Sequence, residues 1–107
     1  MSKANDLTKA IVNYLNYNGC FVWRMNNVGI YDPKRQAYRK NPNNLKGVPD
    51  VIGWNSKGRF IGVEVKVGND KLSSHQEEFI EAASRYHINI LVVKNIDDFL
   101  CKVKNLL

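Results

Sequence analysis

Asp50, Glu64 and Lys66 are the residues of this sequence best placed to do chemistry together. They stand in "GVPDVIGWNSKGRFIGVEVKV", Gly47 to Val67, which otherwise reads as two apolar strands about a tight turn. A three-residue hairpin loop favours glycine at its last, left-handed position, and Gly58 ends "SKG" there. That register pairs Asn55 with Arg59, Trp54 with Phe60, Ile52 with Gly62 and Asp50 with Glu64. Side chains alternate along a strand, so Glu64 and Lys66 share one face while Val63, Val65 and Val67 point the other way, into a core. Two carboxylates then oppose each other with Cβ atoms about 5 Å apart. Their repulsion is about 3 kcal/mol at an effective dielectric of about 20. Folding alone does not favour that pair. A divalent cation turns the repulsion into attraction, and a hard ion such as Mg²⁺ takes carboxylate oxygens, waters and substrate phosphate. The backbone carbonyl of Val65, between Glu64 and Lys66, offers a further oxygen. A salt bridge from Lys66 to both acids is the structural alternative. Exposed ion pairs are worth only ~0–1 kcal/mol, and the bridge leaves the second acid unexplained.

The elements that must hold these residues follow from periodicity. Leu7, Ile11, Tyr14 and Leu15 mark an amphipathic helix, with Asn5 or Asp6 as cap and Gly19 as stop. "CFVWRMN" is a first strand. Residues 27–46 lack a period and carry Gly29, Pro33 and Pro42, which predicts a long loop with a loose hairpin. After the two central strands comes a helix capped by Ser73 with Gln76, or by Ser74 with Glu77, and burying Phe79, Ile80, Ala83 and Tyr86. "INILVV" is a short buried strand. A last helix, capped by Asn95, turns Ile96, Phe99, Leu100 and Val103 inward. The order α-β-β-β-α-β-α describes one α/β domain over residues 1–107, a mixed sheet with flanking helices.

Composition narrows the function. Sixteen Lys and Arg against ten Asp and Glu give a net charge of +6, which favours a polyanionic partner, nucleic acid first. The longest apolar run near the C-terminus, "ILVV", is far too short to span a bilayer. "MSKANDLTKA" is polar and lacks the apolar core of a signal peptide, so an intracellular, cytoplasmic protein is expected. Cys20 and Cys101 have no zinc-ligand spacing and read as reduced thiols.

The sequence also resembles a known family. Pro49–Asp50, thirteen residues, then Glu64–Val65–Lys66 form the PD-(D/E)xK nuclease signature. With "WRMNNVGIY", a basic loop, "KLSSHQEEFI" and "INILVV" in order, residues 5 to 100 look like a stand-alone, phage-type virus-type replication–repair nuclease (VRR-NUC) domain of the restriction-endonuclease-like superfamily. The resemblance implies a Mg²⁺- or Mn²⁺-dependent endonuclease with Asp50 and Glu64 as metal ligands and Lys66 orienting water and stabilising phosphate charge. Gln76 matches a glutamine that the family places beside the active site. The family usually supplies a first-helix glutamate as well. This chain has none there, and Asp6 is the acid that could reach the metal through water or simply favour the helix N-terminus.

The segment "KRQAYRKNPNNLK" holds Lys34, Arg35, Arg39, Lys40 and Lys46 without an acid and is a candidate arm for the DNA backbone. Arg24 and Asn26 end the first strand and are expected to face the same cleft. Stand-alone members of the family are associated with branched DNA, including four-way (Holliday) junctions. Symmetric resolution of such a junction needs two active sites, so a homodimer is expected, with the aromatic N-terminal half (Tyr14, Tyr17, Phe21, Trp23, Ile30 and Tyr31) as candidate interface. The competing function is a nuclease-fold DNA-binding module with little or no catalysis.

Overall fold

The computed structural model describes residues 3–25, 30–39 and 45–107, with 30–32 and 37–39 described by backbone alone. Helix α1 (Lys3–Tyr17) buries Leu7, Thr8, Ile11 and Leu15 along one stripe. It begins before Asn5 and Asp6, so neither caps it. Gly19, at φ +88°, stops it, and the Cys20 N–H returns to the Leu15 carbonyl at 3.0 Å. Asn16 then clamps the helix to strand β1 (Phe21–Arg24): its side chain both accepts from and donates to the Val22 backbone, at 2.8 and 3.1 Å.

Strands β2 (Ile30–Asp32) and β3 (Ala37–Arg39) pair as a separate antiparallel hairpin within the long connection. Strand β4 (Val51–Trp54) then leads through the turn to β5 (Phe60–Val65), helix α2 (Ser74–Ser84), β6 (Leu91–Val93) and helix α3 (Ile96–Lys102), which ends in a 3₁₀ turn. The main sheet runs β1-β4-β5-β6, antiparallel except for the β5–β6 pair.

The sheet has two unlike faces. Val22, Val51, Ile61, Val63, Val65, Leu91 and Val93 point to one side and form the core with α1, Phe99 and Val103. The other face carries Phe21, Trp23, Ile52, Trp54, Phe60 and Glu64. Helix α2 lies over part of this second face and, contrary to expectation, buries no residue fully. Phe79, Ile80 and Ala83 are half-buried, and Tyr86 is 75% exposed. Of the last apolar line only Phe99, in α3, and Val103, in the 3₁₀ turn after it, go inward. Ile96 and Leu100 stay exposed because the helix meets β6 and α1 along a single i, i+4 line.

Candidate active site

The β4–β5 hairpin has the register read from its turn. Trp54 faces Phe60, Ile52 faces Gly62, and the Asn55 N–H bonds the Arg59 carbonyl at 2.9 Å. Gly58 is left-handed at φ +77°, and the Asn55 side chain accepts from the N–H groups of Lys57 and Arg59, tying off the loop. One pair further along this register, just before β4 begins, Asp50 comes opposite Glu64. The Val65 N–H donates to Asp50 Oδ2 at 2.8 Å, and the Met25 N–H takes the Asp50 carbonyl at 2.8 Å. The Val65 backbone therefore fixes the Asp50 carboxylate, and the Met25 backbone fixes the main chain that carries it.

Glu64 is the anomaly of the sheet. It is 1% exposed, yet only Oε1 has a donor, the Gln76 side-chain amide at 3.2 Å. Oε2 is buried with no hydrogen-bond partner. Burial, and after it the Asp50 carboxylate close by, push the Glu64 carboxyl up to about 8, against a smaller opposing pull from Lys66. An ionised oxygen left without a donor in such a place is expensive. The donor set fits a hard divalent cation: two opposed carboxylates, one with an open oxygen. The Val65 carbonyl leaves the strand on the same edge as the N–H that bonds Asp50. Among the described residues no third His, Cys, Asp or Glu joins the pair, which suits an ion that keeps several waters and takes phosphate oxygens.

Gln76 does two jobs with one amide. Its Oε1 accepts from the Ser73 N–H at 2.8 Å, completing a capping box with the Ser73 hydroxyl, and its Nε2 reaches Glu64. The cap fixes the rotamer that aims the amide. Lys66 lies just beyond β5, its N–H on the Val93 carbonyl at 2.9 Å. Lys66 takes part in none of the salt bridges His75–Glu78, Arg85–Glu81 and Lys102–Asp98 seen among the described residues. The alternative of a structural bridge to both acids is therefore not seen.

Two expectations need correction. Asp6 is exposed in the first turn of α1, on the helix that covers the core face, and does not join the carboxylate pair. Arg24 faces Val51, on the core row, and its guanidinium donates to Asn5 on α1. The strand side chains beside Asp50 are instead Trp23 and Met25. Lys34 and Arg35 sit exposed in the β2–β3 turn, and Lys46 is exposed beside Gly47. Asn26, Lys40 and the side chains of Arg39, Ile30 and Tyr31 lie outside the described residues.

A residue that pattern reading passed over is Gly47. At φ +82° a Cβ would stand 2.1 Å from the His75 carbonyl oxygen, so the "GVPD" turn presses directly on the start of α2. Gly47→Ala should lower stability by about 1–3 kcal/mol and slow any reaction that needs Gln76 and Asp50 aligned. Gly58→Ala is the control. Its φ is +77°, but a Cβ there meets nothing within 4 Å, so it should show only the backbone penalty, with activity kept. Denaturation midpoints and relative rates separate the two.

The family model for the VRR-NUC domain matches residues 3–105. A solved structure described as a VRR_NUC domain protein superposes with a TM-score of 0.66 at 15% identity, covering 100% of this chain and 89% of that one. No curated protein matches. Among the described residues no helix is long and apolar enough to cross a membrane.

Proposed function

This chain belongs to the VRR-NUC domain family, and from that premise we propose that it is a divalent-metal-dependent DNA endonuclease that hydrolyses phosphodiester bonds. The observation that carries the reading is the buried Glu64 Oε2 without a donor, opposite a backbone-held Asp50. When bound, Mg²⁺ or Mn²⁺ would activate water and stabilise charge on the phosphate. Asp50, Glu64 and the Val65 carbonyl would hold it. The Gln76 amide holds Glu64 Oε1, and Oε2 would be the oxygen open to the ion. Lys66, on the same strand face, would orient the attacking water and stabilise phosphate charge. Lys34, Arg35, Arg39, Lys40 and Lys46 would track the DNA backbone on the loop that enters the site.

Branched DNA, four-way junctions included, is the proposed substrate, and the proposed working unit is a homodimer. The incompletely covered stripe of α2, Phe79, Ile80 and Ala83, with the exposed Tyr86 just past its end, supports a second copy packing there. The test is a panel of linear, nicked, flapped and four-way DNA incubated with Mg²⁺, Mn²⁺ or a chelator. Metal-dependent cutting is expected, with paired symmetric cuts on the junction. Binding without cutting in every metal would assign the chain to a nuclease-fold DNA-binding module. Light scattering at micromolar concentration checks the dimer, and a mass near 12.3 kDa would remove it.

A further inference from the structure

The face that carries Asp50 and Glu64 continues into an aromatic surface that the carboxylate site does not use. Phe21 and Trp54 stack at 5.1 Å and 12°, and Trp23 stands edge-on to both, at 6.0 and 5.7 Å. These are not core residues: Phe21 is 60% exposed, Trp54 46% and Trp23 38%. Their place follows from register. Trp23 pairs with Ile52, two residues from Asp50 on the same face, so its Cα lies one diagonal step, about 7–8 Å, from that of Asp50. Trp54 lies four residues along β4, about 13 Å away. Among the described residues no third parallel ring continues the Phe21–Trp54 stack.

On this face Asp50 and Glu64 stand at one end and the Lys57 turn at the other, while Arg24 and Arg59 are taken up by Asn5 and the His87 carbonyl. The chain as a whole carries a net charge of +6, so a second copy would bring like net charges together. A strand of nucleic acid would supply the opposite charge along its backbone and flat rings for the aromatic surface.

We propose that Phe21, Trp23 and Trp54 form a stacking platform for unpaired nucleobases of the DNA strand that runs through the carboxylate site. The inference rests on the reading of that site as one that engages DNA, and it adds the form of DNA that should bind best, a strand with unstacked bases next to the phosphate held by Asp50 and Glu64. A continuous duplex keeps its bases away from the rings. A flap, a gap or a junction arm offers them. The rings read no base edge, so the preference is for unpaired structure over sequence.

Affinity is measured by fluorescence anisotropy in a chelator, with a single-stranded oligonucleotide and the same oligonucleotide carrying abasic sites at successive positions. The wild type should bind the base-bearing strand about ten-fold or more tightly than the abasic one. Trp23→Leu combined with Trp54→Leu should lose that factor on the base-bearing strand and show no further loss on the abasic one. Duplex affinity should stay within about two-fold. Equal wild-type affinity for base-bearing and abasic strands overturns the platform, even if the protein cuts DNA. A base preference that persists in a protein that never cuts keeps the platform and removes the nuclease reading. Conversion of a dimer to a monomer by the two substitutions, with no abasic effect, overturns it in favour of a second copy on this face.

Discussion

Glu64→Gln should leave a folded protein that no longer cuts DNA, and that protein should be more stable than the wild type in the absence of metal. Gln keeps the shape of the side chain and an acceptor for the Gln76 amide, but removes the ionisable oxygen that Oε2 represents. Loss of one preorganised electrostatic partner is worth about 10²–10³-fold in rate, and loss of a metal ligand should reach the upper end or exceed it. Asp50→Asn should do the same, because the Val65 N–H can still bond an amide oxygen while the charge is gone. The stability effect has a definite sign. The Glu64 carboxyl titrates at about 8 in the fold, against 4.5 unperturbed. Between those values the folded state binds the extra proton, so wild-type stability falls as pH rises from about 4.5 to about 8 and is level beyond. The full span corresponds to at most about 5 kcal/mol. Glu64→Gln lacks that slope, and its advantage should grow with pH over the same window. Added Mg²⁺ should restore the wild type and leave the variant unmoved. Denaturation of both proteins from pH 4 to 9, with chelator and with Mg²⁺, reads all of this. Parallel curves would mean that Glu64 is not the strained group, and wild-type turnover by either variant would move the metal site elsewhere.

The hairpin was legible because its information is local. A left-handed Gly58 in a three-residue loop sets the register, and the register brings Asp50 opposite Glu64. The capping box was legible for the same reason, although only the structure shows that one Gln76 side chain serves both the cap and Glu64. Errors gathered where the answer depends on long-range pairing. The face of Arg24 follows from its pairing with Val51, across a loop of more than twenty residues whose length says nothing of register. The inward stripe of α1 was right, but helix phase does not say which sheet face the helix covers, and that choice carries Asp6 away from the acids. Periodicity in α2 marked the apolar line and overstated its burial, since a thin sheet gives a helix on its second face little depth. Gly47 was invisible because the reason for it, the His75 carbonyl, lies 28 residues away.

Lys66→Ala should lose about 10³-fold in cleavage rate while binding DNA within a few-fold of the wild type. Its backbone N–H is spent on the Val93 carbonyl, a bond alanine keeps, so the strand should survive the change. Among the described residues Lys66 forms no salt bridge with either acid, and truncation should therefore take away little folding energy of that kind. Its charge does hold the Glu64 carboxyl lower than burial and Asp50 would leave it. Removing the ammonium should raise that carboxyl further and carry the pH-dependent loss of metal-free stability beyond pH 8, the opposite of Glu64→Gln. The two variants thus share an activity defect and differ in the sign of their stability change. On the proposed reading, affinity would come mainly from backbone contacts by the basic loop, and the rate would report what Lys66 does at the reacting phosphate. Single-turnover cleavage at saturating protein separates them. A normal rate with weakened binding would make Lys66 an anchor for a neighbouring phosphate, and a large loss of stability at every pH would make it a structural partner of the acids.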